Sequence, residues 1–577
     1  MSSLISCVSW VKRGVPARHP SKYVLDDKEL ERVSALAHIE LEDAKLELQR
    51  AHEAARQMGK GAEGDEGDDA AEDDEDDWVD EEDDAMDQDD SQQPKASSKK
   101  SGDLSEYKLD EYDDEDDNKA SGPFSNIKGL TYYRDNNEDP YITLKEDDED
   151  NEREELEVLP ADNMLVTAKT EDDISQLEVY IYDEAEENLY VHHDLMLPNF
   201  PLCLEWLDFP PASASTSTAP LHANTTDDDD AMDTTDAPAP TPARTFGNYI
   251  AVGTLDPEIE IWSLDVVDAI YPDAVLGRPD RTAAHVPTPL GTGKKKKKKT
   301  KHRAAVAEHH VDAVLALSWN RSARNLLASA SADRTVKLWD LSRGVSGDEG
   351  IAAIRSFDGI HKDKVQAVQW NEKEPTVLLS GSYDRTVRVF DSRAPDTGVG
   401  AMVGADVEAL RWDPWDAHSF YVSLENGLVV NFDARTLPSS LDTPSPARFT
   451  LSAHDGAASA IDINPLIRGC LVTGGTDKMV KVWNVTGEDA RQVSLVTGRD
   501  LGVGKVFSAV WSPDDPLTLA AAGSKAKMQI WDVGANFGAR KAFGDKLAAA
   551  GRALREKTTG GVVGVVDDDE GSGDDED

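Results

Sequence analysis

A short alternating apolar stretch that ends on an aromatic residue, with Asp or Asn close behind, recurs along this chain and limits its fold more than any other feature. It reads LEVYIYD at Tyr182, EIEIWSLD at Trp262, TVKLWDL at Trp339, TVRVFDSR at Phe390, LVVNFDAR at Phe432, VKVWNV at Trp483 and MQIWDV at Trp531. The last five aromatics lie 51, 42, 51 and 48 residues apart. Before each of these five stands a second alternating stretch ending in a turn: LLASASAD, VLLSGSYD, FYVSLENG, CLVTGGTD and LTLAAAGSK. A third, ending near its own tryptophan, precedes those at Trp319, Trp370, Trp412 and Trp511. Apolar residues at every second position turn one side of an extended chain toward a core, and Gly, Asp, Asn and Pro between the stretches supply turns. Three such strands with a looser fourth, at a period near 40–45 residues, match one propeller blade. The pattern predicts an all-β chain whose residues 161–545 form a seven-bladed β-propeller.

The N-terminal half decides the count of seven. MLVTAKTEDDISQLEVYIYD and LYVHHDLML supply three strands of a first blade, and PLCLEWLDF, NYIAVGTLD and EIEIWSLD supply a second. The first blade lacks its innermost strand locally. Residues 1–14 are expected to provide it, because Val8-Ser9-Trp10 repeats the apolar-x-Trp rhythm of the other first strands. Residues 15–160 then become one long excursion from the first blade. Within it, 26–57 carries Leu30, Val33, Leu36, Ala37, Leu41, Ala44 and Leu48 at helical spacing, which predicts one or two amphipathic helices that pack on the propeller or bind a partner.

Charge separates along the chain. The formal net charge is −53, yet Ala304 to Val533 holds 23 Lys plus Arg against 29 Asp plus Glu, a net of −6. Residues 63–90 hold 19 acidic residues out of 28 and no basic one, so the acidic segment 63–122 is expected to be disordered. Two further disordered loops are expected at 210–245, rich in Ser, Thr, Pro and Ala, and at 278–305, and a basic helix followed by an acidic tail at 546–577. In the latter region GARKAFGDKLAAAGRALREK is expected to begin as the last blade's outer strand and to continue as the helix. The three cysteines, Cys7, Cys203 and Cys470, form no CxxC pair, which predicts a reducing compartment with neither disulfides nor a cysteine zinc site. The start of the chain shows no secretory pattern and no stretch reaches membrane-spanning length, so no membrane partner is expected.

The repeats resemble WD repeats, and that resemblance implies a hydrogen-bonded tetrad in each blade: His before the first strand, Ser or Thr in the second, Asp in the turn and Trp in the third. The matching residues are His310, Ser329, Asp333 and Trp339 in the third repeat. In the fourth they are His361, Ser380 and Asp384, with Phe390 in place of Trp. In the sixth they are His454, Thr473, Asp477 and Trp483. The seventh has Trp531 but Lys525 in place of the turn Asp. The same resemblance places Arg334 and Arg385, next to the turn Asp, on the face that binds partners, with local pairing to the turn as the plain alternative.

Lys294, Lys295, Lys296, Lys297, Lys298, Lys299, Lys301 and Arg303 form the densest basic run. It predicts nuclear targeting or a salt-sensitive contact with the phosphates of RNA, rather than sequence readout, since no aromatic is interleaved. The acidic stretch 63–90 is either a solubiliser or a polyanion that occupies basic surfaces of ribosomal proteins, histones or assembly factors. Thr225, Thr226 and Ser572 each stand three residues before an acid, a weak match to acidophilic kinase sites. His192-His193 and His309-His310 give no metal site, because neighbours on a strand point to opposite faces and no third ligand lies at ligand spacing. No phosphate-binding glycine loop or nucleophile elbow occurs in a usable context, so neither an enzyme, a cofactor nor a small-molecule substrate is expected.

The order of SWVKRG, YVLDDKELERVSALAHIELEDAK, the acidic insert, TEDDISQLEVYIYD, LYVHHDLMLPNFPLCLEWLDF, IAVGTLDPEIEIWSLD, the lysine run and HHVDAVLALSWN resembles the periodic tryptophan protein 1 family. The resemblance implies a non-catalytic factor of the nucleus and nucleolus that acts in assembly of the large ribosomal subunit and pre-rRNA processing. It also implies binding to ribosome assembly factors, ribosomal proteins and pre-ribosomal RNA. A histone-binding chromatin adaptor at ribosomal DNA is the alternative that an acidic propeller protein also suits.

Overall fold

The computed structural model describes residues 3–23, 153–172, 174–212, 246–278, 304–344, 350–487, 492–549 and 561–565. These belong to the unit formed by 1–24 and 151–577; the second unit, 25–150, lies outside the described residues, as do the expected helices at 26–57 and the acidic segment 63–122. The described residues form seven four-stranded antiparallel sheets, the blades of a propeller. The innermost strands, in blade order, are Ser3–Trp10, Pro201–Leu207, Val314–Trp319, Val365–Trp370, Val407–Trp412, Ala460–Ile463 and Val506–Trp511. Each lies beside the next, and the last lies beside the first, so the circuit closes.

Ser3–Trp10 is the inner strand of blade 1, paired with Asn163–Glu171 in a register that sets Trp10 opposite Leu165. The inner strands share a device that alternation alone does not show. In six of them the pairing register shifts near the start: between Ile5 and Cys7, Pro201 and Cys203, Val314 and Ala316, Val365 and Ala367, Val407 and Ala409, and Val506 and Ser508. A bulge there adds twist where the strands crowd the axis. Beyond it comes Cys, Ala or Ser, a side chain small enough for the close approach of the neighbouring blade.

The core is divided among the blade interfaces, with one apolar cluster between each neighbouring pair. Ile5, Val8 and Trp10 belong to the cluster that joins blade 1 to blade 7, where they meet Ala520, Ala522, Met528 and Ile530. The periodic aromatics Trp262, Trp339, Phe390, Phe432, Trp483 and Trp531 are all buried in these clusters. Burial of such large apolar surfaces is the main term holding blade to blade.

Blade 7 corrects the expected order of its last elements. After Met528–Asp532 comes the helix Phe537–Ala549, and the outer strand is Val562–Gly564, paired with Gln529–Trp531. The helix precedes the strand because Ala539, Phe543 and Leu547, four residues apart, form one apolar stripe buried in the cluster between blades 6 and 7. Lys546 fastens it by donating to the carbonyl of Arg468 at 2.8 Å and to Asn484 Oδ1 at 2.9 Å. The edges of the expected excursion are also built in, and so is the residue just past loop 278–305. Ser21–Lys22 pairs in parallel with Val266–Val267, Val158 is buried, and Val306 accepts a hydrogen bond from Lys337 Nζ at 2.6 Å.

Candidate functional site

Because strands within a blade alternate in direction, the second-to-third turns and the connections into each inner strand lie at one end of every blade. That end carries the tetrads. In blade 3 the Trp339 indole N–H donates to Ser329 Oγ at 2.8 Å, Ser329 Oγ lies 2.6 Å from His310 Nε2, and His310 Nδ1 lies 2.9 Å from Asp333 Oδ2. With the ring proton on Nδ1, each group donates to the next and the chain of bonds is complete. Asp333 also accepts from the Val311 and Thr335 backbone N–H groups. Burial works against its charge, but His310 and Thr335 hold its carboxyl well below the usual range. Blade 6 repeats the set: Trp483 to Thr473 at 2.9 Å, His454 to Thr473 at 2.8 Å and His454 to Asp477 at 2.9 Å.

Blade 4 keeps His361 at 2.8 Å from Ser380 Oγ and 3.2 Å from Asp384 Oδ2, but Phe390 supplies no donor and instead packs edge-on to Phe357 at 5.2 Å. This difference sets an expected result. Ser329→Ala strips a partner from two buried groups, Trp339 Nε1 and His310 Nε2, whereas Ser380→Ala strips one. Ser329→Ala should therefore cost about 1 kcal/mol more in urea unfolding; equal losses would mean that the indole bond contributes nothing.

Blade 2 shows why a periodic tryptophan does not always build a tetrad. Val252, two residues along from the partner of Trp262, stands where Ser329 stands relative to the partner of Trp339. With no hydroxyl there, the Trp262 indole donates to Glu260 Oε2 at 3.1 Å. Burial, chiefly, pushes the Glu260 carboxyl up to about 7, and Glu258 and Asp256 add to the rise. The folded state therefore keeps this proton where the unfolded chain loses it, and stability falls as pH rises from the ordinary carboxyl value through about 7. Glu260→Gln should stabilise the protein on the order of 2 kcal/mol at pH 8 and leave it unchanged near pH 4. Thermal melts at the two pH values read this directly; a gain of equal size at both would sink it.

Arg334 and Arg385 follow the turn Asp in the left-handed region, at φ 70° and 65°. Arg385 Nε pairs with Asp406 Oδ1 at 3.1 Å while its side chain stays 61% exposed, so it is tethered but presented. Nearby, Lys364 Nζ sits 3.8 Å from the centre of the Tyr383 ring. Burial, then Glu408, Asp406 and Glu425, push the Tyr383 hydroxyl up to about 12. This sector is acidic, with arginine and lysine set into it. The basic run Lys294–Arg303 lies outside the described residues, but the chain leaves them at Arg278 and re-enters at Ala304, in the connection from blade 2 to the inner strand of blade 3.

At the opposite end a second repeated network ties the blades together. The residue before the inner-strand tryptophan accepts the backbone N–H of the next blade's tryptophan: Glu205 from Trp319 at 3.0 Å, Ser318 from Trp370 at 3.1 Å and Gln369 from Trp412 at 2.7 Å. Asp462, before Ile463, accepts from Trp511 at 2.8 Å. The residue after the tryptophan reaches onward too: Asn320 Nδ2 donates to the carbonyl of Pro375, and Asn371 Nδ2 to that of Ala417. In blade 5 this residue is Asp413, which has no amide to donate, and Trp415 takes over by donating its indole N–H to the Asn464 carbonyl at 3.1 Å.

One sequence expectation fails outright. His192 and His193 do not point apart; their Nδ1 atoms lie 2.7 Å from each other. The strand carries a bulge between Val191 and His193, so His192 has no partner residue in the ladder and the alternation is lost there. Burial pushes His193 down to about 3 and lowers His192 as well. Among the described residues no group of three or more His, Cys, Asp or Glu is placed to hold a metal ion, and no helix is long and apolar enough to cross a membrane.

Known proteins bear on the chain at two levels. Residues 302–340, 353–391 and 446–484 match the family model described as WD domain, G-beta repeat. Over nearly its whole length the chain is similar to an uncharacterized WD repeat-containing protein of Schizosaccharomyces pombe, 39% identical over 554 residues covering 94% of this chain and 92% of that one. It is similar to periodic tryptophan protein 1 of Saccharomyces cerevisiae at 35% identity, covering 94% and 90%. The periodic tryptophan protein 1 homolog of Drosophila melanogaster is 28% identical, covering 94% and 96%.

Proposed function

The chain belongs to the periodic tryptophan protein 1 family, and from that premise we propose that it is a non-catalytic nucleolar scaffold for assembly of the large ribosomal subunit and pre-rRNA processing. It is a WD-repeat propeller, a fold that presents rigid faces to several proteins. The observation that carries the reading is the division of labour along the chain. A closed, internally bonded ring supplies faces, while a strongly acidic segment leaves it within blade 1 and a strongly basic one between blades 2 and 3. Arg334 and Arg385 serve as anchors for assembly factors or ribosomal proteins on the tetrad face. Lys294–Arg303 contacts pre-ribosomal RNA phosphates or carries the chain into the nucleus, and the stretch 63–90 shields basic partners.

Replacing the seven lysines and Arg303 of the basic run with serine tests the targeting and RNA roles without touching a blade. The tagged full chain should leave the nucleolus, and its sedimentation with large-subunit precursors should fall. Unchanged localisation and sedimentation would overturn the assignment of this run. Sedimentation with nucleosomes instead would favour the chromatin adaptor.

A further inference from the structure

We infer that a cavity of about 830 Å³ beside blades 1, 2 and 3, on the face opposite the tetrads, binds a nucleotide of single-stranded RNA. The inference rests on the reading that the chain contacts pre-ribosomal RNA, and gives that contact a second place, away from the lysine run. The face is fixed by topology: the cavity is lined by the chain that leaves the inner strand of blade 1 and by the ends of the inner-to-second-strand connections of blades 2 and 3.

Two cations border the cavity although the whole chain is strongly acidic. Lys12 lines the cavity, is exposed, and makes no ion pair among the described residues. Arg321 also lines it and pairs with Glu372 at 3.3 Å, where both side chains are largely exposed, a bond weak enough to yield to a phosphate. The two aspartates in the wall are already engaged. Asp208 accepts from Arg324 Nε at 2.6 Å, and Asp265 accepts from Asn248 Nδ2 at 2.9 Å and the Ala17 N–H at 3.0 Å.

Shape and stacking then choose among anions. The Phe246 ring is 65% exposed at the cavity, and the Arg324 guanidinium backs it at 4.2 Å from the ring centre. An aromatic ring backed by a guanidinium, next to the exposed Lys12 and Arg321, is the pairing that holds a base by stacking and its phosphate by charge. A duplex would keep its bases stacked on each other, so the ligand is single-stranded.

Fluorescence anisotropy of the full chain with a labelled mixed-sequence single-stranded RNA tests this across a salt series. Phe246→Ala and the double variant Lys12→Ala, Arg321→Ala should each weaken binding about tenfold. Only the double variant should flatten the salt dependence, by about one unit of slope. Both variants change exposed side chains, and ultraviolet cross-links of the unaltered chain to the segments around Lys12 and Phe246 give an independent reading. If the variants bind RNA as the unaltered chain does, this inference fails and the RNA reading of the lysine run stands. Should the unaltered chain bind no RNA, both fail together.

Discussion

Deletion of residues 1–14 is expected to abolish the cooperative unfolding transition of the whole propeller rather than to trim one strand from it. Ser3–Trp10 is the inner strand of blade 1 and lies against both the inner and the second strand of blade 7. Ile5, Val8 and Val11 are 0%, 6% and 1% exposed; burying three aliphatic side chains contributes on the order of 5–9 kcal/mol. A domain's entire stability is about 5–15 kcal/mol. The deletion also bares the edge of Asn163–Glu171 and removes the Trp10 indole bond to the Val510 carbonyl at 3.1 Å and the Val8 N–H bond to Ser508 Oγ at 3.3 Å. Circular dichroism should show either no soluble folded protein or a broad melt at least 10 °C lower, an estimate scaled from about 2–4 °C per kcal/mol for a chain of this order. A sharp melt within a few degrees of the full chain would mean that the ring does not depend on this strand.

Arg13→Ala is expected to open the same closure electrostatically. Arg13 Nη2 donates to Asp515 Oδ2 at 2.8 Å and to Asn163 Oδ1 at 2.9 Å, and lies 3.7 Å from Glu184. It is the cation between two carboxylates, one of them, Asp515, with its side chain only 9% exposed. Removing one partner of a buried pair costs about 3 kcal/mol or more, because the other charge is left without compensation. The pH dependence follows from Asp515, whose carboxyl is raised first by burial and then by Glu184. A raised carboxyl makes the folded state hold its proton longer than the unfolded chain, so its ionisation erodes stability as pH rises. The loss in Arg13→Ala should therefore be larger at pH 8 than at pH 5, and Asp515→Asn in the same chain should restore much of it. A loss below about 1 kcal/mol at both pH values would identify this as an ordinary surface pair.

The blades were readable because each states its own period. Val336, Leu338 and the neighbouring Trp339 show the alternation within five residues, and the position of Ser329 follows from the turn at Asp333. The N-terminal strand was readable for the same reason, since Ser9-Trp10 repeats the rhythm of Ser318-Trp319. What escaped was whatever depends on a partner elsewhere. Val562–Gly564 is too short to show a period, and its place is set by Gln529–Trp531 across the helix. The bulge at His192 inserts one residue with no compositional mark. The blade-to-blade acceptors Glu205, Ser318, Gln369 and Asp462 share a position but not a residue type. Their signal, the residue preceding the inner-strand tryptophan or Ile463, emerges only when the blades are aligned by register. The cavity was hidden for a like reason: Lys12, Phe246 and Arg321 lie far apart in sequence and meet only once blades 1 to 3 are in place.

Affinity purification of the tagged full chain, with and without ribonuclease, tests the scaffold role most directly. A scaffold in large-subunit assembly should recover pre-ribosomal RNA and large-subunit proteins, with the RNA-dependent fraction lost after ribonuclease and the proteins bound to the propeller faces retained. Recovery of core histones without pre-ribosomal RNA or large-subunit proteins would contradict that role.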